Sequence, residues 1–164
     1  MSAPLLVADS GPLIALARLD LLHLPSAIFS DTWITATVWD EVQAPQHPAE
    51  HKALQAAREH GLVRVMDDPV LLPDSVTDLR LDLGERTVLA LAIELHATVL
   101  MDERHGRACA ARIGLPVVGT LGLLVAARLA GLIPEVRPLT EALRAGGYFL
   151  ASHLVEQTLA SISE

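Results

Sequence analysis

The stretch that decides the fold lies near the start of the chain and reads Pro4-Leu-Leu-Val-Ala-Asp9-Ser10-Gly-Pro-Leu-Ile-Ala-Leu. Its apolar run from Leu5 to Ala8 is short and unbroken, which is typical of a buried strand in a parallel sheet. Pro12 is well suited to the first turn of the helix that follows. The stretch therefore predicts a strand, a turn and a helix, with Asp9 at the carboxyl end of the strand.

The rest of the chain repeats this alternation of short apolar runs and amphipathic segments. The apolar runs predict further strands over Ala27–Ser30, Leu62–Met66, Thr98–Met101 and Pro116–Val118. The segments between them have helical periodicity, apart from Asp67–Asp82, which is polar and predicts a loop with at most a short helix. We expect an α/β fold with a parallel sheet flanked by helices, in one domain over residues 1–164.

The composition limits the possible partners. Hydrophobic residues make up 51% of the chain and aromatic residues only 3%, so the core must be aliphatic. The formal net charge of −8 repels nucleic acid as a whole. Contact with RNA or DNA would therefore need a metal ion or a local basic patch, which Arg104, Arg107 and Arg112 could supply.

Other sequence features predict a soluble, cytoplasmic protein. Cys109 is the only cysteine, which rules out an internal disulfide and is compatible with a reducing compartment. No basic leader precedes the first apolar run. The apolar segment Thr120–Ile133 is shorter than the roughly 20 residues of a membrane span and contains Arg128, so we expect no membrane partner.

Acidic residues follow two of the predicted strands and lie on two of the predicted helices. Asp9 ends the first strand, Asp102 and Glu103 follow the Thr98 strand, and Glu41 and Glu85 lie on helices. Parallel strands place their carboxyl ends at one edge of a sheet, so we expect Asp9 and Asp102 to face the same crevice. Converging carboxylates repel one another unless a cation neutralises them. Their hard oxygen atoms favour Mg²⁺ or Mn²⁺.

Each of these residues also has a simpler structural interpretation. Asp9, Ser10 and Thr120 are residue types that cap helices. Glu85 suits the first turn of a helix because its charge opposes the helix dipole. Glu41 could be an ordinary exposed acid. The functional interpretation rests on the convergence of several acids.

Three further segments complete a resemblance to a known family. The opening Val7-Ala-Asp9-Ser10-Gly-Pro resembles the first motif of PIN domains, and Leu83-Gly-Glu85-Arg-Thr and Val99-Leu-Met-Asp102-Glu103 resemble the later acidic motifs. Gly119-Thr120-Leu-Gly, with the later Gly131-Leu-Ile, is similar to a variant branch related to the VapC-type toxins of toxin–antitoxin pairs. The motifs occur in the family's order from residue 4 to about residue 160.

The resemblance implies a PIN-like three-layer fold and a Mg²⁺- or Mn²⁺-dependent ribonuclease. It implies that Asp9, Glu41, Glu85 and Asp102 are catalytic residues and metal ligands. Ser10 and Thr120 would contact substrate or a metal-bound water. The implied partners are an RNA substrate, a small antitoxin protein and a second copy of the chain in a homodimer.

The chain departs from the family pattern in its acids. Glu85 stands where many members carry aspartate, Glu41 lies in a loosely matching segment, and either Asp102 or Glu103 could be the fourth acid. The alternative to a ribonuclease is a PIN-like module that binds protein or RNA with weak or no nuclease activity.

Overall fold

The computed structural model describes residues 2–77 and 79–164, so Asp78 in the predicted loop and Met1 lie outside the described residues. A five-stranded sheet forms its centre, with all neighbouring strands parallel and the order β3-β2-β1-β4-β5. The strands are β1 Leu6–Ala8, β2 Thr32–Thr35, β3 Arg64–Met66, β4 Thr98–Leu100 and β5 Val117–Val118.

Ten helices lie within the described ranges and connect or cover the strands. They are α1 Ser10–Arg18, α2 Leu24–Ile28, α3 Ala36–Val42, α4 Pro48–Glu59, α5 Asp74–Thr77, α6 Leu83–Leu95, α7 Arg104–Arg112, α8 Thr120–Leu129, α9 Arg137–Ala145 and α10 Ser152–Ser161. The α/β fold with a central parallel sheet flanked by helices confirms the prediction from sequence. The short helix α5 lies in the segment predicted to be mostly loop.

The first strand occupies the middle of the sheet because every residue in it is apolar. Leu6 pairs with Thr32 on one side and Thr98 on the other, and all three residues of β1 are fully buried. Helix α6 packs against β1, β2 and β4. Its unbroken buried Val88–Ala92 surface explains that position, because a parallel sheet must be covered on its faces by apolar helices.

The predicted strand over Ala27–Ser30 is wrong. Pro25 lies in the first turn of α2, which begins at Leu24, and the backbone N–H of Phe29 donates to the carbonyl oxygen of Pro25 at 2.8 Å. Proline at the first helical positions favours a helix because its fixed φ matches helical geometry. The second strand begins at Thr32.

A second cluster of buried apolar residues joins α8 to the C-terminal helices. Its members include Leu121 and Leu124 from α8 and Val155 and Leu159 from α10. The carboxylate of Glu164 accepts hydrogen bonds from the backbone N–H groups of Val136 and Arg137. These contacts hold the C-terminal end of the described chain against the start of α9.

Among the helices of the described ranges, none has the length and apolar character needed to cross a bilayer.

Candidate active site

The candidate site lies at the carboxyl ends of β1 and β4. From β1 the chain passes to β2 on one side of the sheet, whereas β4 joins β1 on the other side. This reversal creates a crevice of the kind in which open α/β sheets bind ligands. Asp9 follows β1 directly, and its backbone N–H donates to the carbonyl oxygen of Leu100, the last residue of β4, at 2.9 Å. Asp102 follows two residues later.

Asp9 lies at the centre of the acidic group. It is the N-cap residue of α1, but its side chain accepts no capping hydrogen bond, and the residue is only 9% exposed. Burial, together with the negative charges of Glu41, Glu85 and Asp82, raises the pKa of Asp9 to about 7 against the opposing effect of the Ser10 backbone N–H. The simple capping interpretation therefore does not account for this carboxylate.

Glu85 combines a structural role with its position in the crevice. Its backbone N–H donates to Asp82 Oδ1 at 2.8 Å, and its own carboxylate accepts from the Asp82 backbone N–H at 3.1 Å. This reciprocal capping box fixes the start of α6. Glu85 is 9% exposed, and burial together with the nearby charges of Asp82 and Glu103 raises its pKa.

Glu41 reaches the same region from α3. A Cβ atom on Gly84 would lie 2.9 Å from Cδ and 3.0 Å from Oε2 of Glu41, so a side chain at position 84 would displace this carboxylate from its place beside the first turn of α6. Partial burial raises the pKa of Glu41, the Ser10 side chain opposes that effect, and Asp82 adds to it. Ser10 thus lies next to Glu41, where it could orient the carboxylate.

Asp102 is held by hydrogen bonds to both of its carboxylate oxygens. Oδ1 accepts from the backbone N–H of Thr120 at 2.7 Å, and Oδ2 accepts from the Thr120 hydroxyl at 2.5 Å. The hydroxyl of Tyr148 also donates to Oδ2. Thr120 is fully buried at the start of α8, so Asp102 is tied to that helix.

Tyr148 is the residue at this site that the sequence analysis missed. Its hydroxyl lies above Gly11, where a Cβ atom would be 3.5 Å from it, and donates to Asp102. Burial and the charge of Asp102 raise the pKa of Tyr148, so the hydroxyl keeps its proton and remains a donor. The available signal was that Tyr148 is the only tyrosine of the chain and follows Gly146-Gly147.

Glu103 is placed differently from Asp102. It is the N-cap residue of α7, where its exposed side chain accepts a hydrogen bond from the Gly106 backbone N–H at 2.7 Å. That hydrogen bond lowers the pKa of Glu103. Of the two candidates for the fourth acid, Asp102 is the one that the fold directs to Thr120 and Tyr148 in the crevice.

The donor chemistry of this crevice suits a hard divalent cation. Asp9 is buried among other carboxylates, and among the described residues no arginine, lysine or histidine forms an ion pair with it. Oxygen-rich sites of this type favour Mg²⁺ or Mn²⁺. Within residues 2–77 and 79–164, however, no three acidic, histidine or cysteine side chains are close enough to share one ion, so coordination by three residues would require side-chain rotation.

Comparison with known proteins identifies the family. The sequence model of a family described as the PIN domain matches residues 5–164, almost the whole chain. No curated protein matches the chain. PIN domains are generally metal-dependent nucleases that bind RNA. With the parallel sheet and the motif order on which the resemblance was based, this match shows that the chain belongs to the PIN domain family.

Proposed function

We propose that this protein is a metal-dependent endoribonuclease that hydrolyses RNA phosphodiester bonds and works as one PIN-like domain over residues 1–164. The observation that carries the proposal is the buried Asp9 carboxylate, which faces Glu41, Glu85 and Asp82 in the crevice between β1 and β4. A protein gains nothing in stability from burying a carboxylate among like charges, so the arrangement favours a bound cation.

In this proposal Asp9, Glu41, Glu85 and Asp102 hold Mg²⁺ or Mn²⁺. When bound, such an ion neutralises charge on a phosphodiester and lowers the pKa of a water molecule. Thr120 and Tyr148 fix the orientation of Asp102, which reduces the motion that must be lost when a ligand binds.

The capping box and Ser10 position the other two glutamates. Asp82 and the start of α6 hold Glu85, while Ser10 and the space above Gly84 hold Glu41. Ser10, Thr120 and Glu103 remain the proposed contacts to substrate or to a metal-bound water.

The finer proposal is that the protein is the toxin of a type II toxin–antitoxin pair. Its support is the similarity of Gly119–Leu124 and Gly131–Ile133 to the VapC-related branch. It implies a cytoplasmic location and a small antitoxin that covers the crevice with a basic side chain among the acids. It also implies a homodimer, for which the exposed apolar side chains Leu129 and Leu132 offer a contact surface.

A second candidate is a PIN-like module that binds RNA or protein without efficient cleavage. The hydrogen bonds of Thr120 and Tyr148 to both oxygens of Asp102 favour it, because those bonds compete with a metal ion for the same oxygens.

A cleavage assay separates the two candidates. Labelled RNA is incubated with the protein in Mn²⁺, in Mg²⁺ and in EDTA, using the wild type, Asp9→Asn and the matched control Asp40→Asn. Asp40 is an exposed acid on the same helix as Glu41. The nuclease proposal predicts cleavage by the wild type and Asp40→Asn with metal only, and none by Asp9→Asn. Lack of cleavage by the wild type with either ion would favour the binding module.

A further inference from the structure

A cleft with a volume of about 570 Å³ opens directly beside Asp102. One wall is the start of α7, which contributes Arg104 and Arg107. The other wall is the segment from Phe149 to Leu154, at the start of α10. The cleft is therefore continuous with the candidate active site through Asp102, and it differs from that site in chemistry because its other charged lining residues are the two arginines.

The two arginines are placed to bind an anion. Neither Arg104 nor Arg107 has a carboxylate partner within 4.0 Å among the described residues. Nη1 of Arg107 and Oδ1 of Asp102 lie within 2.6 Å and 2.9 Å of the position that a Cβ atom on Gly119 would occupy. A guanidinium thus stands next to the carboxylate of the proposed cleavage site. Arginine without an acidic partner is well suited to bidentate binding of phosphate.

Phe149 presents an aromatic ring to solvent at the same cleft. It is 86% exposed in a chain whose aromatic content is only 3%. The residues before and after Phe149 in the chain are both anchored to the fold, which keeps the Phe149 ring exposed. The preceding Tyr148 donates a hydrogen bond to Asp102, and the following Leu150 packs on the second apolar cluster. An exposed ring held beside unpaired cations is the combination that binds unpaired nucleic acid bases by stacking.

We propose that this cleft binds the nucleotides that flank the scissile phosphate of a single-stranded RNA. Arg104 and Arg107 contact backbone phosphates, Phe149 stacks on one unpaired base, and His153 on the same wall adds a hydrogen-bonding group. The proposal rests on the nuclease function, because it places the scissile phosphate at Asp102, next to the cleft. It also resolves the conflict between the net charge of −8 and an RNA substrate, since the favourable contacts are confined to this cleft.

Binding is measured apart from cleavage. A fluorescein-labelled single-stranded RNA of mixed sequence is titrated with protein in EDTA, its anisotropy is followed, and its integrity is checked on a gel. The variants are Phe149→Ala, Phe149→Trp and Arg107→Gln. Matched controls are Leu71→Ala, which removes another apolar side chain that is 86% exposed, and Arg58→Gln, which removes an arginine of α4 outside the cleft.

Stacking predicts that Phe149→Ala weakens binding by about 5-fold to 150-fold and that Phe149→Trp retains it. Loss of one phosphate contact predicts that Arg107→Gln lowers the slope of log Kd against log salt by about 0.7. Both controls should bind like the wild type. Equal affinity of Phe149→Ala and Leu71→Ala would overturn the proposal, as would equal affinity of the wild type for single-stranded and double-stranded RNA.

The cleavage assay with Mn²⁺ distinguishes failure of this inference from failure of the nuclease function. RNA cleavage that is unaffected by Phe149→Ala, with unchanged binding, would overturn the inference and leave the nuclease standing. Binding that depends on Phe149, without cleavage by the wild type, would support the cleft and reject the nuclease. No binding of single-stranded RNA by the wild type would also overturn the inference, and a protein would then be the better candidate occupant.

Discussion

Replacement of Asp9 by asparagine should change how the stability of the metal-free protein depends on pH. The pKa of Asp9 is about 7 in the folded protein, compared with about 3.8 for an unhindered aspartate. Between these values the unfolded chain releases its proton while the folded protein keeps it. The free energy of unfolding of the wild type must therefore fall as pH rises through this window, and the loss is complete above about pH 7.

The size of the effect follows from the two pKa values. Each pH unit within the window costs about 1.4 kcal/mol, and the full difference between the folded and unfolded pKa values corresponds to about 4 kcal/mol. Asp9→Asn has no titrating group at this position and is not subject to the loss. From about pH 5 to about pH 8 the stability of the variant relative to the wild type should therefore rise by about 3 kcal/mol.

Urea unfolding in EDTA across this pH range measures the difference, with Asp40→Asn as the control for loss of an acid at an exposed position. Excess Mn²⁺ at about pH 8 should restore the wild type and leave Asp9→Asn unchanged, because a ligand stabilises only the state that binds it. A stability difference between Asp9→Asn and wild type that stays constant with pH would refute the reasoning that Asp9 is a buried carboxyl group without a cationic partner.

Three further comparisons of variants test the parts that position the site. The free energy of unfolding of Asp82→Ala, measured in urea, should be about 1 kcal/mol lower than that of Asp82→Asn. Both variants lose the charge, but only alanine loses the helix cap, so equal stabilities would contradict the capping box. Tyr148→Phe should lower the free energy of unfolding in urea by roughly 1–2 kcal/mol through loss of the hydrogen bond to Asp102, whereas wild-type stability would show that the bond contributes nothing. Gly84→Ala should weaken Mn²⁺ binding, measured by calorimetry, about as much as Glu41→Gln does. It should cause no loss of stability, because alanine is more favourable than glycine in a helix by about 1 kcal/mol. Unchanged Mn²⁺ affinity would show that the space above Gly84 is not needed.

The main features of the fold were predictable because they depend on local pattern. The short apolar runs of β1 and β4 are typical of buried strands. Parallel pairing of these strands then places Asp9 and Asp102 at the same edge of the sheet. The segment Ala27–Ser30 was misassigned because an apolar run of only three residues, Ala27 to Phe29, does not distinguish a strand from a helical turn. The deciding feature was Pro25, which lies in the first turn of α2.

The site was less predictable where it depends on contacts between distant parts of the chain. Tyr148 lies 46 residues from Asp102 in sequence, and no periodicity predicts that the segment after α9 returns to the crevice. The sequence left Asp102 and Glu103 open as the fourth acid because both follow the same strand. Their separation depends on side-chain partners, Thr120 for Asp102 and the first turn of α7 for Glu103.

Calorimetric titration with Mn²⁺ at about pH 8 tests most directly the claim that the crevice is a metal site. The wild type, Asp9→Asn, Asp102→Asn and the control Asp40→Asn are compared under the same conditions. The account predicts saturable binding by the wild type and by Asp40→Asn, with binding lost in both crevice variants. A wild type that binds no Mn²⁺, or crevice variants that bind it as tightly as the wild type does, would contradict the account.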